Sequence, residues 1–288
     1  MLLLLVLHVV CALNSTRSTK KGLVIPPGIR HFCGDFNAFK TVSWWYHYKT
    51  HPDIHDVVPQ WCTCGAGQDN STCLPDPTDG LEFVPMIRGI KGYGDQPNLS
   101  YEGVTEDSVF LLGYNEPDHE DQAGIPADVA AEAWIELQEM YPDKVLVSPS
   151  TAGANKRWMD EFWDRCKVLG CRIDYISTHK YSGNADQVMS VLEEYSRRYD
   201  NKKIWLTEFA VNNEHDQEKI IAYVEDVLPR LEAAPFIWRY SWFITRYKFD
   251  ETGEGSWWLD SRNSLLDYEE SRLTGVGEAY DVPYHQFL

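Results

Sequence analysis

Eight short apolar runs, each bounded by turn-forming residues, recur along this 288-residue chain. They are Gly22–Pro26, Val42–Tyr46, Phe83–Ile87, Val109–Asn115, Val145–Ser148, Tyr175–His179, Ile204–Phe209 and Ile237–Phe243. Most are continuous rather than alternating. That is the pattern of parallel strands covered on the outside by helices, not of a sheet with one wet face. The intervening stretches supply the helices. Pro126–Tyr141 keeps Val129, Ala133, Leu137 and Met140 on one stripe. Asn184–Tyr199 does the same with Val188, Val191, Leu192 and Tyr195, and Glu214–Leu231 with Ile220, Ile221, Val224 and Leu228. Eight strands with helices between them, in a chain near the roughly 250 residues typical of the fold, predict an α/β architecture. It is a single (β/α)8 TIM barrel over residues 20–288 with disulfide-tied loops. A doubly wound sheet is the competitor. It predicts a glycine-rich phosphate loop, and neither G-x-G-x-x-G nor G-x-x-x-x-G-K occurs.

The amino-terminal run Leu2 to Leu13 is apolar except for His8. It falls short of the roughly 20 residues that span a bilayer. It reads as a secretory signal peptide over residues 1–14, with an uncleaved anchor as the competing reading. A secreted, extracellular protein with no membrane attachment after cleavage is expected. Of seven cysteines, Cys11 lies in that segment, leaving Cys33, Cys62, Cys64, Cys73, Cys166 and Cys171. An even number in a secreted chain predicts disulfides. Cys166 and Cys171 flank a predicted helix end at Leu169-Gly170 and are expected to pair. The other four allow three pairings, which stay open. Cys62-Thr-Cys64 with Cys73 lacks the histidines of a recognised zinc spacing, so neither metal nor cofactor is expected. The sequons at Asn14, Asn70 and Asn98 fit the secretory route and a glycoprotein. Cys33–Gly80 reads as long loops of the same domain, and Asn263–Asp267 as a short strand or hairpin closing the barrel.

Net charge is −18. That argues against nucleic acid or an anionic membrane as partner and tolerates a neutral polysaccharide. A monomer is expected. Tryptophan and tyrosine are abundant, at 11 and 16 residues. Aromatic faces stack on sugar rings and also fill cores, so composition alone does not choose between these roles.

Two glutamates carry the chemistry. Glu116 ends the fourth run and Glu208 the seventh. In a (β/α)8 barrel the carboxyl ends of all strands meet at one face, where active sites lie. A carboxylate at the end of a buried strand is costly unless solvated, paired or working. Two of them are what acid/base hydrolysis of a glycosidic bond requires. The plainer reading is a pair of solvated or ion-paired strand ends. The neighbours favour the first reading. Asn115 can hold a sugar hydroxyl, and Pro117 stops the strand. His179 and Tyr181 end the sixth run on the same rim, where a tyrosine hydroxyl can orient a carboxylate nucleophile and keep it ionised. Trp242, near the end of the eighth run, is placed as the floor of the pocket. Trp45 and Tyr46 in the second run are further substrate-binding candidates.

Asn115-Glu-Pro-Asp118, Leu206-Thr-Glu-Phe209 and Tyr240-Ser-Trp-Phe243 resemble the glycosyl hydrolase catalytic core of glycoside hydrolase family 128. The resemblance extends from Lys21 to Leu266. In the same order it includes Phe83-Val-Pro-Met86, Leu146-Val-Ser-Pro149, the Cys166/Cys171 pair and Asn263-Ser-Leu-Leu266. It implies a (β/α)8 barrel and retaining, endo-acting cleavage of β-1,3-glucan, with Glu116 as acid/base and Glu208 as nucleophile. The two carboxyl groups are then expected about 5–5.5 Å apart, with the Glu116 pKa raised and Glu208 charged. The chain departs from the family pattern at Ile87-Arg-Gly89, which puts a cation near the cleft, and at His179-Lys-Tyr181. The alternative function is a non-catalytic β-glucan-recognition protein on the same barrel. A third keeps the chemistry and changes the substrate to β-1,4-mannan or β-1,4-glucan.

Overall fold

The computed structural model describes residues 17–52, 58–62, 74, 76–95, 102–248 and 259–283. The expected signal peptide, the three sequons, Cys64 and Cys73 lie outside the described residues. Eight parallel strands form one sheet. They are β1 Lys21–Val24, β2 Trp44–Tyr46, β3 Glu82–Phe83, β4 Phe110–Leu112, β5 Val145–Thr151, β6 Tyr175–Tyr181, β7 Ile204–Ala210 and β8 Ile237–Trp242. The order β3-β2-β1-β8-β7-β6-β5-β4 leaves β3 and β4 at its ends. A parallel bridge from Met86 to Leu112 joins them, with Leu112 donating to Pro85 and Ile87 to Leu112 at 2.9 Å each. The sheet is therefore a closed barrel, and every predicted run overlaps a strand.

Four longer helices cover the outside: α1 Ala127–Met140, α2 Lys156–Leu169, α3 Ala185–Arg198 and α4 Gln217–Ala233. Three lie in the predicted stretches. The fourth, α2, buries Trp158, Met159, Phe162, Trp163 and Cys166, a helical stripe made chiefly of aromatics. Asn155 caps its start, and Gly170 ends it in the left-handed conformation at φ 81°. That turn brings Cys171 back to Cys166, and the two form the expected disulfide across a Cα–Cα distance of 4.9 Å. Cys33 pairs with Cys62, tying the loop after β1 to the loop after β2.

Strand alternation sorts the aromatics into two clusters. Trp45, Phe209, Tyr240 and Trp242 face the helices, whereas Val24, Trp44, Tyr46, Leu112, Val147 and Trp205 fill the barrel. At the barrel floor the Arg239 guanidinium lies over the rings of Phe110 and Trp205, 4.8 Å from each, and pairs with Glu82 at 2.5 Å. Above it comes a layer of hydroxyls. Ser150, Ser177 and Thr207 contact one another at 2.6, 3.0 and 3.1 Å, and Ser241 donates to the Thr207 carbonyl. These buried groups satisfy one another and so cost little.

Residues 263–273 form the expected hairpin, with Leu266 bridged antiparallel to Leu273. It does not close the barrel. It docks on the continuation of β8, where Leu265 and Leu266 donate to Ile244 and Thr245. A last helix, α5 Gly275–Tyr280, seals the start of β1: Tyr280 donates to the Gly22 carbonyl, and the Lys21 ammonium donates to the Tyr280 and Val282 carbonyls.

Gly22 is set by packing. A Cβ there would lie 2.2 Å from the indole of Trp44, which is fully buried and anchored to the Lys20 carbonyl. Gly22→Ala should lower stability by about 1–3 kcal/mol, the usual cost of overpacking a filled core. Urea unfolding with an unchanged midpoint would show that the floor can yield.

Candidate active site

Each polar group at the carboxyl end of the barrel is aimed by a local backbone feature. After β4 the Glu116 amide donates to the Ser150 carbonyl at 2.8 Å, and Glu116 itself sits at φ 42°. Side-chain-bearing residues rarely adopt that conformation, and it turns the carboxyl over the barrel mouth. Asp118 holds the turn: its oxygens accept the Ala152 amide at 2.9 Å and the Asn155 side chain at 2.8 Å. On β7, Leu206 pairs with Thr178 but Glu208 pairs with His179, so β7 carries one extra residue there. The same shift recurs against β8. This bulge re-aims the strand, so that Thr207 joins the interior hydroxyls while Glu208 reaches the cleft. On β6, plain alternation puts Ser177, His179 and Tyr181 on the inner face.

These features converge on the His179 imidazole. Its Nδ1 is 2.7 Å from Glu116 Oε1 and 3.4 Å from Glu208 Oε2. An oxygen of each glutamate and a ring nitrogen of His179 all lie within 4.8 Å of one another. Glu208 accepts hydroxyls on both sides, Tyr181 on Oε2 at 2.5 Å and Tyr48 on Oε1 at 2.7 Å. The trio also has metal-ligand spacing. A cation bound there would have to break the hydrogen bonds that these atoms already make.

Burial pulls the His179 pKa down, but the charges of Glu208 and Glu116 outweigh it and leave the ring above its ordinary value. Burial pushes Glu116 up, but His179, helped by His119 and Arg88, holds it below the ordinary carboxylate range. Glu208 is raised: burial dominates, the Glu116 charge adds to it, and His179 and the two phenols oppose it. This order is the reverse of the sequence expectation. The reason is the imidazole. The 2.7 Å contact with His179 Nδ1 favours the charged form of Glu116.

The trio opens into a cleft of about 530 Å³ bordered by Tyr48, Arg88, Asn115, Gln122, Tyr181 and Phe243 among others. Asn115 is buried, and its Oδ1 has no partner among the described residues. Arg88 does line the cleft, yet both its outer nitrogens pair with Asp95, and one also donates to Gln122 at 2.9 Å. Its charge is thus balanced in place.

The profile of the glycosyl hydrolase catalytic core family matches residues 28–280. The chain belongs to this family. It is a glycoside hydrolase, and its fold matches solved structures of glycoside hydrolase family 128. A subgroup II endo-β-1,3-glucanase from Sorangium cellulosum is 28% identical, covering 92% of this chain and 99% of its own, with a TM-score of 0.70. A curdlan-specific exo-β-1,3-glucanase from Blastomyces gilchristii, in complex with glucose, is 26% identical over 91% and 97%, with a TM-score of 0.63. An Amycolatopsis mediterranei endo-β-1,3-glucanase, in complex with laminaritriose, shares the fold at 24% identity over 92% and 99%, with a TM-score of 0.65. Among curated protein sequences none matches the chain.

Glu116, Glu208, Asn115, His179 and Tyr181 are brought together in this hydrolase as the sequence predicts. Three aromatic expectations need correction. Trp242 is fully buried, packs on Phe209 and Tyr223, and donates to the Asn263 carbonyl at 2.7 Å. Alternation turns it toward the helices, and the next residue, Phe243, borders the cleft instead. Trp45 likewise faces outward between Phe36 and Phe83. Tyr46 points into the barrel beneath the site, donating to the Thr207 carbonyl at 3.0 Å. Tyr48, whose hydroxyl reaches Glu208, has no counterpart among the sequence candidates, because it lies two residues past the end of β2, where the backbone leaves the ladder.

The His179–Glu116 pair has a pH window. A raised His179 pKa stabilises fully below about pH 6.5, the unperturbed value, and the gain is lost as pH rises through the folded pKa. A lowered Glu116 pKa stabilises fully above about pH 4.3, and that gain is lost as pH falls through the folded value. The pair is therefore intact between these limits. In Glu116→Gln the His179 pKa should drop, as read by NMR titration of the ring. A value unmoved by the substitution would mean that the two groups are not coupled.

Proposed function

We propose that this glycoside hydrolase is a secreted, monomeric endo-β-1,3-glucanase working by retaining double displacement. The observation that carries the mechanism is the approach of the two glutamates, with oxygens within 4.8 Å. Retaining enzymes hold their carboxyl groups about 5–5.5 Å apart, whereas inverting enzymes need about 6.5–9.5 Å to seat a water. The choice of linkage is supported by the β-1,3-glucanases at 28% and 26% identity over nearly the whole chain. Secretion is supported by the apolar amino-terminal run and by the disulfides Cys33–Cys62 and Cys166–Cys171. No described helix is long and apolar enough to cross a membrane.

Glu208 attacks the anomeric carbon while Glu116 protonates the departing glycosidic oxygen. The glycosidic bond breaks and a glycosyl ester of Glu208 forms. Glu116, now a carboxylate, takes a proton from water, whose oxygen displaces Glu208. The acid must be charged with a proton first, and His179 Nδ1, 2.7 Å from Glu116 Oε1, is placed to deliver it. A sugar in the cleft removes the remaining water around Glu116. Desolvation then raises the carboxyl and draws the proton from Nδ1 to Oε1. The oxyanion of Glu208 stays in place between two phenols, and Asn115 Oδ1 is free to accept a sugar hydroxyl.

Laminarin should yield oligosaccharides of mixed length with new reducing ends, and the first product seen by proton NMR should be the β-anomer. Glu208→Gln should abolish turnover. Glu116→Gln should slow laminarin cleavage by about 10²–10⁴-fold, the usual weight of a general acid, and spare substrates whose leaving group needs no proton. Binding without sugar release by the unaltered protein would favour glucan recognition, and an initial α-anomer would exclude the retaining assignment.

A further inference from the structure

The end of β2 has a feature that barrel closure does not require. Val84 donates to the Trp45 carbonyl and Met86 to the Lys49 carbonyl, both at 2.9 Å. Two steps along the neighbouring chain are thus matched by four along the β2 chain, so two extra residues leave the ladder. Tyr48 lies in this excursion at φ 66°. A bulky aromatic seldom adopts that backbone conformation, and where one does the surroundings must enforce it.

The excursion drops the Tyr48 ring over the barrel mouth. Its hydroxyl is 2.7 Å from Glu208 Oε1, and its ring meets Tyr46 edge-on with centroids 5.2 Å apart. Tyr46 in turn donates to the carbonyl of Thr207, the residue before Glu208. The two irregular segments, one on β2 and one on β7, therefore clasp each other. Tyr181 supplies the donor to Oε2 from β6.

We propose that Tyr48 is a positioning residue for the nucleophile: with Tyr181 it fixes the plane of the Glu208 carboxylate and favours its charged form. This rests on the reading of Glu208 as nucleophile. A donor to each oxygen removes the freedom of the carboxylate to rotate, and hydrogen bonds to the anion stabilise it against protonation. Burial and the Glu208 charge keep the Tyr48 hydroxyl protonated, so it has a proton to donate to the carboxylate.

The test is Tyr48→Phe, which keeps the ring and removes the donor. The Glu208 carboxyl is titrated by carbon NMR in glutamate-labelled protein, with Glu208→Gln identifying the resonance. The Glu208 pKa should rise in Tyr48→Phe relative to the unaltered protein, without any substrate present. With laminarin, kcat should fall about 10- to 100-fold, the weight of a hydrogen bond to a charged group, with KM little changed and the acidic limb of the pH profile displaced upward. A Glu208 titration and a pH profile both unmoved in folded Tyr48→Phe would overturn the proposal, even if Tm fell. A displaced titration in a protein that cleaves no β-1,3-glucan would uphold the contact and sink the glucanase reading instead.

Discussion

The contact of His179 Nδ1 with both glutamates is the interaction on which this site depends. Two carboxylates with oxygens inside 4.8 Å, one of them nearly fully buried, repel each other and lose solvation together. The imidazole between them makes the arrangement tolerable because it can carry one proton and so halve the net negative charge. It also ties the three pKa values together. Glu116 is low because His179 is high, and Glu208 is high because burial finds only partial relief from the imidazole and two phenols. Removing any one member changes the other two.

The rest of the barrel serves to hold these three groups still. The floor is filled by Trp44, Phe110, Trp205 and the Arg239 guanidinium, and the middle by mutually bonded hydroxyls of Ser150, Ser177 and Thr207. A packed interior of this kind leaves the strand ends little room to shift. On it, irregular backbone does the aiming: a left-handed Glu116, an extra residue before Glu208, and two extra residues around Tyr48. Asp118 and the buried ion pair of Arg246 with Asp35 fix the loops that frame the cleft.

The strands were legible because parallel strands under a helical cover must be apolar on both faces, and eight such runs occur. Helices α3 and α4 were legible from aliphatic spacing. Helix α1 was placed correctly but buries Ala127, Ala130, Ala131, Trp134 and Leu137 rather than the stripe of Val129, Ala133, Leu137 and Met140, and Met140 is exposed. Helix α2 hid its stripe in Trp158, Phe162 and Trp163. Glu116, His179, Tyr181 and Glu208 stood out because polar residues at the ends of apolar runs demand a reason. Trp242 and Trp45 misled because position at a strand end does not say which face a side chain takes. That depends on parity, and one inserted residue reverses it. Tyr48 lay just beyond the second run, in an excursion whose length only the hydrogen-bond ladder reveals. The reversed pKa order was likewise out of reach, since it follows from a 2.7 Å contact between residues far apart in sequence.

The central claim is that Glu208 bonds covalently to the sugar during turnover. A 2-deoxy-2-fluoro laminaribiosyl fluoride should trap that ester, because the fluorine slows its hydrolysis while fluoride leaves without needing a proton. After incubation, proteolysis and mass spectrometry should find one glycosyl adduct on the peptide carrying Glu208. Attachment to Glu116 or to any other residue, or no adduct at all in a preparation that cleaves laminarin, would contradict the account.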